Sequence, residues 1–441
     1  MLELTGKRID CCDGLSRRSF LKVGSLGLGG LTLPQILAHR AALAAEGKSP
    51  RKTSVIFIEQ AGGPTHFETY DPKPLAPSEY RGPLGVVNTC IPGIQLSELM
   101  VEQAKIMDRL AVIRSIHHDS SSHSTSAHLT QTGYYLRDRQ SRENSMPSTG
   151  SITSKVRGSN VEGIPAFVSV PRAMRFGGAA HLGKSHNAFE TGGDPNSSKF
   201  VVNNLGLNKS LNIKRLDDRR HLLGELDARR RLADTRGVAD AVDQFTQQAF
   251  DLVTGDRARK AFDLSAEDPR VRERYGRNTT GQSILLARRL IESGSTFVTV
   301  RTGSWDDHRD IAGRMKAKGP AFDQGLAALV NDLYDRGIER DVLLVTMGEF
   351  GRTPRINKSA GRDHWGRVMS VMISGGGLNM GQVIGSSNSK GEVPKDQPYR
   401  PENVLAVIYR HLGIDTGATF NDFAGRPRYI LEERGLITEL V

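Results

Sequence analysis

The chain has 441 residues, of which 37% are hydrophobic and 25% are charged, and its formal net charge is +11 at pH 7. This composition is typical of a globular protein and excludes a chain that is disordered over most of its length. The positive charge is compatible with an anionic partner, which could be nucleic acid, a membrane surface, or a phosphate or sulfate ester, and it does not choose among them.

The N-terminal segment, residues 1–45, has the features of an export signal. A twin-arginine pair lies in the run SRRSFLK at residues 16–22 and precedes a weakly apolar, glycine-rich stretch and the small-residue run AALAA, where we expect cleavage near Ala44. Gly30 and Pro34 interrupt the apolar stretch, so no stable membrane span is expected. The alternative is a cytoplasmic amphipathic start with two chance arginines. We expect export by the twin-arginine (Tat) translocase to a periplasmic or extracellular location.

Strands and helices alternate along the part of the chain that follows this segment. Apolar, β-rich runs predict strands at 54–60, 109–116, 296–300, 341–347 and 367–377. Apolar residues at helical spacing predict helices at 96–108, 281–294, 321–337 and 402–413. This alternation predicts an α/β fold with a mostly parallel sheet sandwiched by helices. In such a sheet, functional residues lie beyond the carboxyl ends of the strands.

The alternating pattern weakens between about residues 160 and 275, where Gly, Ser, Asn and charged residues dominate. We interpret this region as an insertion or cap laid over the sheet, within one domain that covers residues 46–441. Its charged segment at 217–237 is typical of a solvated helix face, and no nucleic-acid-binding motif accompanies it, so no nucleic-acid partner is expected. Residues 178–185, GAAHLGKS, match the phosphate-loop pattern. That loop needs a strand directly before it and a helix directly after it, and the sequence predicts neither, so we regard the match as chance.

Acidic and imidazole side chains follow four of the predicted strands. They comprise His66, the segment HHDSSSHSTSAHL at 117–129, WDDH at 305–308, and GEFGRTPRINKSAGRDHWG at 348–366. Because the carboxyl ends of parallel strands meet at one edge of a sheet, these groups can surround a common metal ion. Imidazole favours zinc and its neighbours, whereas carboxylates also suit magnesium, manganese or calcium, so the expected cofactor is a divalent metal ion of open identity.

Two metal sites are predicted from these residue types. The first consists of Asp306, His308, Asp363 and His364. In the second, Glu349 would act with the side chain at Glu59 or Gln60, only one of which can face the edge because side chains alternate along a strand. Two such ions can hold both oxygens of a displacement at phosphorus or sulfur.

Three arginines of the same region, Arg352, Arg355 and Arg362, are candidates for bidentate contacts to an anion. Two tryptophans next to the predicted ligands, Trp305 and Trp365, could stack on a sugar or merely wall the site.

Several long motifs resemble a known family. These are GGPTHFETYDPKP, RYGRNTTGQSILLARRLIESG, WDDH, GEFGRTPRINKSAGRDHW and GGGLNMGQVIGSS. Together with the twin-arginine leader they resemble the bacterial domain-of-unknown-function family 1501, often labelled sulfatase-like, over nearly the whole chain. The order of the acidic and imidazole motifs also resembles the alkaline phosphatase superfamily, which includes sulfatases and cofactor-independent phosphoglycerate mutases. The resemblance implies an alkaline-phosphatase-like core.

The chain departs from the superfamily pattern at the expected nucleophile. In the superfamily a Ser, Thr or Cys opens a helix that ends ten residues later on glycine; here Gly133 supplies that ending, and ten residues before it lies His123. The resemblance therefore implies Ser124 or His123 as the group that attacks or positions the nucleophile, with His123 as a metal ligand and loss of catalysis as alternatives. The sulfatase motif C/S-x-P-x-R is absent from HSTSA, and Gln60 stands near the place of a first-strand aspartate ligand.

The sequence thus predicts an exported metal-dependent hydrolase of phosphate or sulfate esters whose substrate is an anionic small molecule or polysaccharide. Arg352 would hold the anion, and Ser124 or His123 would act at the reacting centre. The predicted metal ligands are Gln60, Asp306, His308, Glu349, Asp363 and His364. The alternative is a non-catalytic exported binding or assembly protein that retains the fold, motivated by the displaced nucleophile.

Overall fold

The computed structural model describes residues 52–136, 138, 140–202 and 256–441. The strands are β1 Ser54–Gln60, β2 Val86–Asn88, β3 Gln95–Ser97, β4 Ala111–Ile116, β5 Phe167–Val170, β6 Phe189–Glu190, β7 Phe297–Thr302, β8 Val342–Met347, β9 Gly351–Arg352, β10 His364–Trp365, β11 Met369–Gly375, β12 Gln382–Ile384, β13 Ser386–Ser387, β14 Pro394–Asp396, β15 Thr419–Asn421 and β16 Pro427–Tyr429. The α-helices are α1 Ser78–Arg81, α2 Val101–Lys105, α3 His123–Thr132, α4 Thr149–Arg157, α5 Asp256–Phe262, α6 Pro269–Tyr275, α7 Thr279–Ser293, α8 Ile311–Asp335 and α9 Pro401–Leu412. The predicted export signal and the charged segment at 217–237 lie outside the described residues.

The central sheet has the strand order β12-β4-β11-β8-β1-β7-β5-β6 among the described residues. Every neighbouring pair is parallel except the two pairs of β11, which runs antiparallel to both β4 and β8. The predicted α/β fold with a mostly parallel sheet is therefore confirmed. Since β11 is antiparallel, its first residue lies at the edge where the parallel strands end, and this places the segment before it, with β10, at that edge.

Both faces of the sheet are covered, which explains why its strands are continuous apolar runs. Along β1, Ile56 and Ile58 belong to the buried cluster formed with α7 and α8, whereas Val55 and Phe57 belong to the cluster formed with α9. All seven residues of β1 are buried. The alternation of side chains along a strand thus supplies two separate cores, one on each face.

Two helices differ from their predicted bounds for local reasons. Helix α8 begins at Ile311, ten residues before the predicted start at 321, and passes through Pro320. The predicted helix at 96–108 is divided between β3, α2 and a short 3-10 helix. The carboxylate of Asp323 on α8 accepts the backbone N–H groups of Glu102 and Gln103 at 2.7 and 2.9 Å and so caps the short helix α2.

The region from 160 to 275 contributes to the sheet itself. The strands β5 and β6 lie inside it, and β5 pairs with β7 along the central sheet. The interpretation of the whole region as a cap over the sheet is thus wrong for 167–170 and 189–190, because these two strands extend the same layer. The phosphate-loop match is chance as predicted, since short 3-10 helices occupy 180–182 and 184–186 in place of a long helix. Among the described residues, no helix is both long and apolar enough to span a membrane.

Candidate metal centre

Three segments meet at the edge of the sheet where the parallel strands end. His123 is the first residue of α3, which follows β4. Asp306 and His308 lie in the loop after β7, and His364 lies on β10, just before the antiparallel strand β11. The direction of β11 therefore brings a residue from far along the sequence to the same edge as the ends of β4 and β7.

The carboxylate of Asp306 is the centre of this group. Its Oδ1 lies 3.0 Å from His308 Nε2 and 3.1 Å from His364 Nε2, and these two nitrogens are 3.0 Å apart. Its Oδ2 lies 3.4 Å from His123 Nε2. The candidate ligand atoms of His123, Asp306 and His364 all lie within 4.8 Å of one another. We call His123, Asp306, His308 and His364 the His3Asp cluster.

Each imidazole of the cluster has its Nδ1 atom against an oxygen acceptor. The pairs are His123 with Glu349 Oε1 at 2.7 Å, His308 with Asp363 Oδ1 at 2.6 Å, and His364 with the carbonyl of Ser121 at 3.1 Å. A neutral imidazole has one N–H, and when the proton lies at Nδ1, against the outer acceptor, Nε2 presents a lone pair. In that tautomer the three Nε2 lone pairs face the carboxylate of Asp306.

These atoms fit a divalent cation. Lone pairs only about 3 Å apart repel one another unless a positive charge lies between them, and zinc binds His nitrogen and carboxylate oxygen at about 2.0–2.2 Å. Acceptors on the outer nitrogen are the usual partners of metal-binding histidines. The side chains of His123, Asp306, His308 and His364 are 28, 33, 40 and 24% exposed, so an ion held there would be open to a ligand from solvent.

The charges around Asp306 favour the protonation states that a metal requires. Burial alone raises the pKa of Asp306, but the hydrogen bond and charge of Arg352, whose Nη2 lies 2.5 Å from Oδ1, lower it to about 2. The pKa of His364 is lowered by burial and by the neighbouring His123 and Arg352. The hydrogen bond from His308 lowers the pKa of Asp363. At neutral pH the aspartates are therefore anionic and His364 is neutral.

A model of the family described as "Protein of unknown function (DUF1501)" matches residues 52–441. The chain belongs to this family. No curated protein matches the sequence.

The DUF1501 chain is also similar, at low sequence identity, to solved structures of other proteins. They include Ps i-CgsB (11% identity, TM-score 0.38, covering 82% of this chain and 72% of that chain). A second is the PsFucS1 sulfatase from Pseudoalteromonas sp. (12% identity, TM-score 0.33, 86% and 70%). A third is the lipoteichoic acid synthase LtaP from Listeria monocytogenes (10% identity, TM-score 0.31, 83% and 73%).

Glu349 and Asp363, predicted as direct ligands, lie on the outer side of the cluster in this DUF1501 protein. Glu349 is fixed from two directions, since His123 Nδ1 contacts Oε1 and the backbone N–H of Gly62 lies 3.0 Å from both carboxylate oxygens. Gly62 has φ +109, and a Cβ there would lie 2.7 Å from the backbone nitrogen of Asp306, so only glycine fits. The loop after β1 thus joins Glu349 to the Asp306 loop.

Replacing Glu349 by glutamine is expected to lower the affinity for a divalent metal by about 10- to 100-fold while leaving the binding stoichiometry unchanged. The amide keeps the size of the side chain but removes the charge that orients His123. Competition with a chromophoric chelator measures the affinity. The matched control is Glu392→Gln, a carboxylate outside the cluster; an equal loss in both variants would contradict the outer role of Glu349.

Gln60 takes no part in the cluster as far as the described residues show. Its side chain is 1% exposed, and neither amide atom has a hydrogen-bond partner there. Its neighbour Glu59 is also buried, and burial together with the charge of Glu349 raises the pKa of Glu59 to about 8. At neutral pH the two strand residues considered for the second site are thus a protonated carboxylic acid, Glu59, and an amide without a hydrogen-bond partner in the described part of the chain, Gln60. We therefore assign no ligand role to Gln60.

The position of Arg352 is not consistent with its predicted contact to a bound anion. It is fully buried, and besides Asp306 its guanidinium donates to backbone carbonyls of Gly62, Gly63, Trp305 and Arg362. These contacts connect the loop after β1, the Asp306 loop and the segment that precedes His364. Arg352 thus positions Asp306, and its burial could not be read from its place in the sequence.

Ser124 and the arginine that contacts it lie beside the cluster. Ser124 follows His123 in α3, and its Oγ accepts a hydrogen bond from Nη2 of Arg175 at 2.6 Å. Arg175 was missed by sequence reasoning, because it follows β5 in the region interpreted as a cap and no motif marks it. His123 has both ring nitrogens directed to carboxylates, which fits a ligand and leaves Ser124 as the hydroxyl candidate.

His118 and His128 have structural roles. His118 donates from Nε2 to the carbonyl of Glu349 at 2.7 Å and accepts the N–H of Ser120 at Nδ1. His128 lies between the carbonyl of Tyr134 and the N–H of Ser145. These pairings require neutral rings.

Lowering the pH from about 6.5 towards 4 is expected to reduce the free energy of unfolding. Burial lowers the pKa of both His66 and His118 from 6.5 to about 4, so in this range the unfolded chain binds more protons than the folded chain. Urea unfolding at about pH 7 and about pH 4.5 measures the difference. His118→Gln should show a smaller loss than the unsubstituted protein, and an equal loss would contradict the assignment.

Proposed function

We propose that this DUF1501 protein is an exported, metal-dependent hydrolase of phosphate or sulfate esters. The observation that carries the proposal is the convergence of three imidazole Nε2 atoms on the carboxylate of Asp306, each imidazole being held at its other nitrogen by an oxygen acceptor. The twin-arginine run at residues 16–22 supports export.

The residues of the His3Asp cluster would hold the metal, with Glu349, Asp363 and the Ser121 carbonyl fixing the histidines. When bound, a divalent cation there supplies Lewis-acid polarisation of an ester oxygen. The three nitrogens and one carboxylate suit zinc best, and manganese also fits.

The chain itself offers a hydroxyl and a cation beside the cluster. Ser124 lies in the first turn of α3, where unpaired backbone N–H groups favour an anionic group. Arg175 is exposed and already bonded to the Ser124 hydroxyl, so it can hold the transferred group's oxygens near that hydroxyl. We assign to Ser124 the attack on phosphorus or sulfur, which forms a serine ester, breaks the bond to the substrate's ester oxygen and releases the alcohol with the serine proton. Water then hydrolyses the serine ester and releases phosphate or sulfate. To Arg175 we assign the contact with the anion that was expected of Arg352.

Metal analysis of purified mature protein, followed by assays on 4-nitrophenyl phosphate and 4-nitrophenyl sulfate with zinc, manganese, magnesium or calcium, tests the proposal. We expect at least one bound metal per chain and turnover of one ester. Protein that binds no metal and turns over neither ester with any of these cations would refute it.

Replacing Ser124 by alanine is expected to lower kcat by roughly 10³-fold or more, with metal content unchanged, because the attacking hydroxyl is removed. Arg175→Ala should instead raise KM by about 10- to 100-fold, as expected for a charged hydrogen bond. Steady-state kinetics measures both. The control is Arg172→Ala, an exposed arginine of the same segment; full activity of Ser124→Ala would move the attack away from this residue.

The second candidate is a non-catalytic exported binding or assembly protein. His123 stands at the position where the superfamily has its nucleophile. Both of its ring nitrogens contact carboxylates, so it is not available to attack an ester, and this favours the second candidate. A protein that binds stoichiometric metal but hydrolyses neither ester would support this second candidate over the first.

A further inference from the structure

A cavity of about 550 Å³ lies beside the His3Asp cluster and is not used by the cluster itself. Its lining includes Tyr80, Arg355, Asp363, Trp365, Arg367 and Glu392. Asp363 belongs both to this lining and to the metal centre, because its carboxylate contacts His308 Nδ1. The volume is within the range of small-molecule sites, about 300–1,000 Å³. A ligand in the cavity would therefore lie one side chain away from the cluster.

The cavity carries two guanidinium groups that no other described residue engages. Arg355 and Arg367 are exposed, and neither side chain forms a hydrogen bond or ion pair with another residue in the described part of the chain. In contrast, the other two arginines of this region, Arg352 and Arg362, are fully buried on internal acceptors. Two unpaired guanidiniums on one lining suit a sulfate, phosphate or carboxylate group, which each can bind through paired N–H donors.

The same lining offers aromatic surface and acceptors for hydroxyl groups. Trp365 and Tyr80 are half-buried. The indole N–H of Trp365 donates to the carbonyl of Glu392 at 2.7 Å, which fixes the ring and leaves its apolar surface for a ligand. One carboxylate oxygen of Glu392 accepts from Asn388, and the other has no bond within the described ranges. Trp305, the other tryptophan considered for this role, is 2% exposed and packs on Phe322, so it is part of the core.

We propose that this cavity, the anionic-sugar site, binds a saccharide unit that carries a negatively charged group. Trp365 contacts the apolar face of the sugar ring, Glu392 and the Tyr80 hydroxyl bind sugar hydroxyls, and Arg355 and Arg367 bind the anionic group. The role of the site in catalysis rests on the proposed hydrolase function, since the bound saccharide would present its ester to the metal centre. Binding of the saccharide rests on the cavity alone.

Isothermal titration calorimetry on the full mature protein, with and without added zinc, tests the site. The probes are a sulfated galactan hexasaccharide, its desulfated form, a galacturonate hexasaccharide and sodium sulfate. We expect the anionic hexasaccharides to bind and the double variant R355A/R367A to raise their Kd at least tenfold. The control variant R410A removes an exposed arginine outside the lining and should leave Kd unchanged.

The remaining measurements distinguish recognition of the sugar ring from recognition of the anionic group. W365L should weaken the anionic and the desulfated hexasaccharides alike, because it removes ring contact but no charge. Sulfate ion that binds as tightly as the sulfated hexasaccharide would show an anion site without sugar recognition and overturn the proposal. It is also overturned if neither anionic hexasaccharide binds, or if the double variant binds within twofold of the unsubstituted protein. Saccharide binding by protein that lacks metal and turnover would leave the site standing and refute the hydrolase function instead.

Discussion

Replacing Asp306 by asparagine is expected to lower the affinity for a divalent metal by on the order of 100-fold or more and to abolish ester hydrolysis. This carboxylate contacts all three cluster imidazoles and is the acidic partner of the buried Arg352. The amide removes the negative charge that both the metal and the guanidinium require. Competition with a chelator gives the metal affinity, and the 4-nitrophenyl ester assays give the activity.

Asp307→Asn is the matched control, since it makes the same chemical change in the next residue. Asp307 forms an ion pair with Lys318 at 2.8 Å and belongs to the loop without touching the cluster. It should keep its metal affinity within a few-fold, even if its thermal stability falls. Equal metal affinity of the two variants would show that Asp306 is not a ligand.

Replacing Glu68 by alanine is expected to lower the free energy of unfolding by about 3–5 kcal/mol, because it leaves a buried guanidinium without its counterion. Glu68 and Arg362 are 1% and 0% exposed, and Arg362 Nε and Nη2 reach the carboxylate at 3.0 and 2.8 Å. Arg362 also lies 4.0 Å from the ring centroid of Phe67. Urea unfolding measures the change in free energy.

The same substitution should weaken metal binding, because Arg362 directly precedes Asp363 and His364 and anchors their segment to the loop after β1. The control is Glu79→Ala, an exposed carboxylate of α1, which should change the free energy of unfolding by no more than about 0.5 kcal/mol. If Glu68→Ala and the control have the same free energy of unfolding, the attraction within the buried pair does no more than offset the cost of removing its two charges from water.

The layered fold and the location of the site could be predicted from the sequence for simple reasons. Strands buried on both faces are uninterrupted apolar runs, as in β1 and β8, and their carboxyl ends bring WDDH and the segment after β8 to one edge. The antiparallel direction of β11 could not be predicted, because an apolar run has no direction. It is nevertheless the feature that brings His364 to Asp306.

The roles of individual charged residues were harder to predict than their location. Residue type identifies Glu349 as a possible ligand, but only the contacts at His123 Nδ1 and Gly62 N–H show that it lies behind a histidine. Likewise, an arginine in a polar loop reads as exposed, whereas Arg352 is buried on carbonyl groups that no sequence pattern reveals. Arg175 lies far from Ser124 along the chain, and such long-range contacts depend on packing.

The most direct test is anomalous diffraction from crystals of the mature protein soaked in zinc or manganese. We predict one strong peak at bonding distance, about 2.0–2.2 Å for zinc, from Asp306 and from the Nε2 atoms of the cluster histidines. No peak at this place under metal saturation, or a peak bound only by residues outside the His3Asp cluster, would contradict the assignment of the metal centre and with it the proposed hydrolase.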